Sequence, residues 1–192
     1  VTGGGLRPLS DSVGALWSHI GIGWRAVGTG LFGPADPFAA VLAVLGSLTF
    51  WNPGLSIVVL YLLALPLAAL GAWVVARNLS RNPWVPALAA ILWAFSPQLL
   101  SALSGGHLGG LVAHLLLPWL FLTALGAARS WASGAAAAIL FAAVAASAPS
   151  LVPALLVLFV VVLIARPTRI YRPIGIPIPA LALFAPLIAL QV

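Results

Sequence analysis

The chain has no cysteine, no lysine and no glutamate, and its only carboxylates are Asp11 and Asp36. Without cysteine, disulfides and thiol chemistry are excluded, while the compartment stays open. Charge of either sign is scarce: 5% of residues are charged, 63% are hydrophobic, and residues 82–128 carry no charge at all. Runs of that length and composition do not fold as water-soluble layers; they match bilayer-spanning helices. Walker-type loops, GxSxG and HExxH are also missing, and Gly3-Gly4-Gly5 alone carries no phosphate-binding meaning. No cofactor is implied.

What charge there is comes mainly from eight arginines, which give a net charge of +6 over 192 residues. They punctuate apolar segments instead of clustering on one face, so topology-setting loop charge is expected and nucleic-acid binding is not. Six spans are predicted, at residues 55–76, 85–103, 108–128, 132–147, 150–165 and 174–190. The expected class is all-α, a polytopic transmembrane helix bundle with additional interfacial helices. Residues 131–165 would run about 50 Å as one helix, far beyond a ~30 Å hydrocarbon core. Ala148-Pro149-Ser150 and Pro153 supply a break, so two short helices joined by a tight turn are expected there. That division also puts Arg77 and Arg81, Arg129, and Arg166, Arg169 and Arg172 on one side, as the positive-inside bias requires.

The remaining side receives residues 1–54, the 101–109 loop and the 147–150 turn. Residues 1–54 are thus read as an extracytoplasmic amphipathic and interfacial segment, and 55–192 as the transmembrane region. Leu9, Val13, Leu16, Trp17, Ile20 and Trp24 recur at helical spacing, with Asp11, Ser18 and Arg25 on the opposite stripe. Such a helix suits the headgroup layer, with Ser10 as its expected N-cap. Gly21, Gly23, Gly28, Gly30 and Gly33-Pro34 then make a loop. The apolar stretch 37–50 is too short to span and is expected to be an interfacial or re-entrant helix. Val1 opens a Gly-rich stretch without signal-peptide character, and Gln191-Val192 follows an apolar run. Both ends read as cuts within a longer protein.

Few residues are equipped for chemistry. Asp11 has two readings: a general base toward an acceptor hydroxyl, or a helix N-terminal residue favoured by the macrodipole. Asp36, in Pro34-Ala35-Asp36-Pro37, reads first as a turn or cap residue and second as a catalytic carboxylate. His107 sits in a glycine-rich loop, where it either contacts a sugar or phosphate or is an ordinary loop histidine. His114 lies inside the third span, about 10 Å of helical rise from His107, so the two cannot share a metal ion. A hydrogen bond from His114 to a neighbouring helix is expected instead. Trp51, Trp84 and Trp131 suit interface anchoring; Trp24 and Trp51 could alternatively stack on sugar or guide a lipid chain. Arg25 pairs either with a lipid phosphate or with Asp11 or Asp36.

Several phrases carry a resemblance. Gly33-Pro34-Ala35-Asp36-Pro37-Phe38, Leu48-Thr49-Phe50-Trp51-Asn52-Pro53 and Ala64-Leu65-Pro66-Leu67-Ala68-Ala69-Leu70-Gly71-Ala72-Trp73 resemble the membrane region of large actinobacterial family-2 glycosyltransferases. His114-Leu115-Leu116-Leu117-Pro118-Trp119 and Ala146-Ser147-Ala148-Pro149-Ser150-Leu151 continue it. The resemblance implies a cell-envelope role and a soluble transferase domain elsewhere in the same full-length chain. More loosely, the region is similar to GT-C transferases that use polyprenyl-phosphate sugars. In that likeness Asp11 matches the acidic residue of the first external loop, residues 37–50 the interfacial helix, and His107 the later loop that returns to the site. Ser12 stands where a GT-C loop often has a second acid. The expected partners are membrane lipids and a lipid-linked sugar or glycan, and the segment alone is expected to be inert. A transporter or flippase for a lipid-linked glycan, and a non-catalytic anchor, are the rival expectations.

Overall fold

The computed structural model describes residues 12–21, 24–27, 31–34, 37–49, 51–165 and 175–180, with 24–27, 31–34 and 161–165 placed as backbone only. Eight helices follow in order: α1 (Val13–Gly21), α2 (Phe38–Ser47), α3 (Pro53–Leu79), α4 (Trp84–Ala94), α5 (Pro97–Gly105), α6 (Leu108–Ala127), α7 (Trp131–Ser147) and α8 (Val152–Ala165). Between α1 and α2 lies an antiparallel hairpin of β1 (Trp24–Val27) and β2 (Leu31–Pro34). The architecture is therefore helical, as expected, with one small two-stranded addition.

That hairpin corrects the reading of the N-terminal segment. The amphipathic helix stops at Gly21, so Trp24 and Arg25 belong to a strand, paired in register with Pro34 and Gly33. Gly21 and Gly23 cost helix stability, while two four-residue runs around Gly28-Thr29-Gly30 suit a short hairpin. The cap also moves: the Ser12 hydroxyl accepts from the Ala15 backbone N–H at 3.3 Å, whereas Ser10 lies outside the described residues. Helix α2, ten residues long, is too short to span a ~30 Å core. Its cap position is Pro37, and the Asp36 expected as a turn or cap residue lies outside the described residues.

Three helical segments are long and apolar enough to cross a membrane: Pro53–Leu79, Trp84–Gly105 (α4 and α5 together) and Leu108–Ala127. They correspond to the first three predicted spans and make this a membrane protein. The next two are a bent pair, α7 and α8, which turn by 117° at the break around Pro149. At 1.5 Å per residue α8 is about 21 Å long, and that angle returns it only about 10 Å along the α7 axis. The break falls where Ala148-Pro149-Ser150 placed it, and among the described residues the count is three spans, or four if the bent pair is one. Only residues 175–180 of the sixth predicted span are described; Arg166, Arg169 and Arg172 lie outside the description.

Helix α3 starts at a built cap. Asn52 Oδ1 accepts from the Gly54 N–H at 3.1 Å, and Pro53 occupies the first helical position, where its missing N–H costs nothing. Asn52→Ala is expected to lower stability by about 1 kcal/mol, read by reversible unfolding in mixed micelles. The buried face of α3 is built from small residues, Ala64, Ala68, Gly71, Ala72 and Ala76. Without a hydrophobic force between helices in lipid, such faces permit the close approach that dispersion requires. Its outer face carries Leu62, exposed at 72%, a surface that suits lipid and not water.

Helix α6 is the centre of the bundle. On one side Leu111 and Leu115 pack with Ala64 and Ala68 of α3, Ala94 of α4, and Leu99 and Ala102 of α5. On the other, Ala113, Leu120 and Ala127 pack with Ala137, Phe141, Val144 and Ala145 of α7. A Cβ at Gly71 would meet Pro118, and one at Gly126 would meet Ser133. Together these contacts make α3 and α6 parallel and α7 antiparallel to both. Arg77, Arg81 and Arg129 therefore gather at one end of the bundle. The start of α3, the α5–α6 turn and the α7 C-terminus gather at the other.

Candidate functional site: a polar rim and a buried histidine

The end opposite the arginines forms a rim. Helix α5 closes in an αL turn at Gly106 (φ 70°), with the His107 N–H donating back to the Ala102 carbonyl at 2.9 Å. Only glycine takes that backbone conformation without strain. His107 is exposed, and its ring lies over Gly105, where a Cβ would sit 2.8 Å from it. Two residues on, Gly109 touches the Ser147 carbonyl at the end of α7. The 101–109 loop and the 147–150 turn thus meet, as the charge count required. Trp51, at the mouth of α3, is exposed on the same rim.

Helices α1 and α2 cover part of this end. Helix α2 packs against α3 and α7, and α1 packs on α2. The Trp17 indole Nε1 donates to Ser47 Oγ at 3.0 Å, and that hydroxyl donates onward to the Ala43 carbonyl at 2.7 Å. Of the candidate site residues, His107 and Trp51 share the rim, and Trp24 and Arg25 lie on β1. Asp11 and Asp36 lie outside the described residues. No group of three or more His, Asp or Glu suited to a metal ion occurs among the described residues.

A second polar feature lies within the bundle, and most of it escaped the sequence reading. Phe95-Ser96-Pro97 breaks the second span: α4 ends at Ala94, and Ser96 caps α5 through its hydroxyl to the Leu99 N–H at 3.4 Å. Proline has no N–H, so at this break the Trp93 carbonyl loses its i+4 partner and keeps a long backbone bond from the Ser96 N–H, at 3.4 Å. His114 supplies a second donor. Its Nε2 lies 3.1 Å from the Trp93 carbonyl and 3.4 Å from Ser96 Oγ. A carbonyl only accepts, so Nε2 carries the proton. The imidazole also stacks on the Trp93 indole, centroids 4.3 Å apart and planes 20° from parallel.

Tyr61 Oη and Trp93 Nε1 flank the same core and are buried without a hydrogen-bond partner. Measured along the helices, His114 and Tyr61 lie about 9–12 Å below the rim. The expected bond from His114 to a neighbouring helix is thus present, with the broken α4–α5 span as its partner. The signal for this break was local, a serine cap followed by proline at the first helical position. It was hidden inside a stretch uniformly apolar enough to read as one span.

No protein-family profile matches the chain, and neither does any curated protein or solved structure.

Proposed function

We propose that this chain is the membrane-embedded part of a multi-pass, cell-membrane glycosyltransferase of the envelope, handling a lipid-linked sugar or growing glycan at the rim. The observation that carries this reading is the gathering of the His107 turn, the Ser147–Ser150 turn and the mouth of α3 at one end of three apolar spans. Such a rim meets the headgroup layer, where a lipid-linked sugar presents its phosphate. In this reading Asp11 is the acceptor base, with Asp36 as the second carboxylate. Arg25 and His107 attend the donor phosphate, and Trp24 and Trp51 stack on sugar. The nucleotide-sugar chemistry belongs to a soluble domain of the full-length chain.

The test uses full-length protein and radiolabelled lipid-linked sugars. Asp11→Asn is expected to reduce transfer by about 10²-fold or more, the usual weight of a general base, at unchanged membrane levels. Full retained transfer removes Asp11 from the mechanism. One observation favours a second reading: spans broken at Ser96-Pro97 and near Pro149 are the half-helices from which transporters build midplane sites. Movement of the labelled lipid across the membrane without sugar transfer would establish that reading instead.

A further inference from the structure

Helices α4 and α6 both pack along α3 and meet each other through Trp93 and His114. The wedge between them is a groove of about 540 Å³ whose walls include Ala72, Ala76, Ala89, Trp93, Pro118 and Phe121. Small residues form the groove's floor, and aromatic and proline rings close its deep end. From the arginine end, Trp93 and Pro118 lie nine residues into α4 and nine residues from the end of α6, about 13 Å deep in each case. That is close to half of a ~30 Å hydrocarbon core, the depth of one leaflet. A polyprenyl chain would overrun such a groove, whereas one acyl chain of an ordinary phospholipid fits within it.

The charge at its mouth selects the headgroup. Ser80, Arg81 and Asn82 connect α3 to α4 directly beneath Leu79, and Arg81 is exposed. The chain holds eight arginines against two aspartates, so most of its cations must find anions outside the chain. Arg77 is engaged differently, standing over the Trp73 ring at 4.9 Å, on the side of α3 away from the groove. We infer that the groove between α3, α4 and α6 holds one acyl chain of an anionic phospholipid whose phosphate is anchored by Arg81. This site lies at the end opposite the proposed transferase rim and stands independently of that assignment.

The experiment reconstitutes the protein into nanodiscs with phosphatidylglycerol or phosphatidylcholine, each carrying a diazirine on one acyl chain, and maps adducts by mass spectrometry. Phosphatidylglycerol adducts are expected on Leu92, Trp93, Leu117 and Phe121. Arg81→Gln should lower them about fivefold, the weight expected for one basic residue at an anionic surface. It should lower phosphatidylcholine labelling less, because the choline offsets the phosphate charge. Arg77→Gln should leave both unchanged. Ala89→Phe should suppress both by filling the groove, while Leu88→Phe, on the lipid-exposed side of α4, should suppress neither. Equal labelling of Arg81→Gln and the parent protein overturns the headgroup assignment, and full labelling of Ala89→Phe overturns the groove. Displacement of phosphatidylglycerol by equimolar polyprenyl phosphate would make the occupant a carrier lipid and overturn the inference.

Discussion

Replacing His114 with leucine is expected to destabilise the protein by about 2–3 kcal/mol, more than any other exchange of a single polar side chain in the bundle. Two losses combine. Hydrogen bonds between membrane helices average about 0.6 kcal/mol and reach about 1.7. This one belongs at the upper end, because Pro97 removes the i+4 donor to the Trp93 carbonyl and leaves it only a 3.4 Å bond from the Ser96 N–H. Stacking on the Trp93 indole adds about 0.5–1.5 kcal/mol. The two contributions separate in a double-mutant cycle. In a Pro97→Ala background the new N–H at position 97 can bond the Trp93 carbonyl, so His114→Leu should cost only the stacking, about 1 kcal/mol. Reversible unfolding in mixed micelles reads the coupling. An identical cost in both backgrounds would show that His114 does not compensate for the proline.

Adjacent glycines at the start of α6 are expected to respond with opposite signs. At Gly109 an added methyl would run into the Ser147 backbone carbonyl, which no rotamer change can move. Gly109→Ala should therefore cost about 2–3 kcal/mol, the upper part of the range for overpacking, and separate the His107 turn from the end of α7. At Gly110 the nearest atom to an added methyl is the Ala102 Cβ at 3.8 Å, an ordinary contact. Gly110→Ala should be neutral or stabilising by up to about 1 kcal/mol, because alanine favours the helix. Equal effects at the two positions would mean that α6 and α7 are not apposed as described.

The broad layout was legible because the bilayer imposes it. Chargeless runs, the Pro149 break and the arginines after the first and third spans each express one physical constraint: backbone groups in lipid must be paired internally, and cations stay near one surface. Reading failed where two constraints overlapped. The Ser96-Pro97 break lies inside a run apolar enough to span as a whole, so composition hid it. Trp24 matched a helical stripe, but Gly21 and Gly23 outweighed the periodicity, and the chain turned into a hairpin. The run from Ser150 looked like a full span by length, and only the 117° turn shows that it folds back. His114 was recognisable as a helix-bonding residue. Its acceptor, 21 residues earlier in sequence, depends on a proline whose effect appears only once α4 and α6 are placed side by side.

The most direct test of the account is sidedness, measured by labelling single cysteines with an impermeant maleimide in this cysteine-free chain. The account predicts that cysteines at Asn52, His107 and Ser150 label together from one side, and that those at Arg81 and Arg129 label only from the other. Labelling of His107 and Arg81 from the same side would contradict it, because the span from Trp84 to Gly105 would then not cross and the rim would not exist.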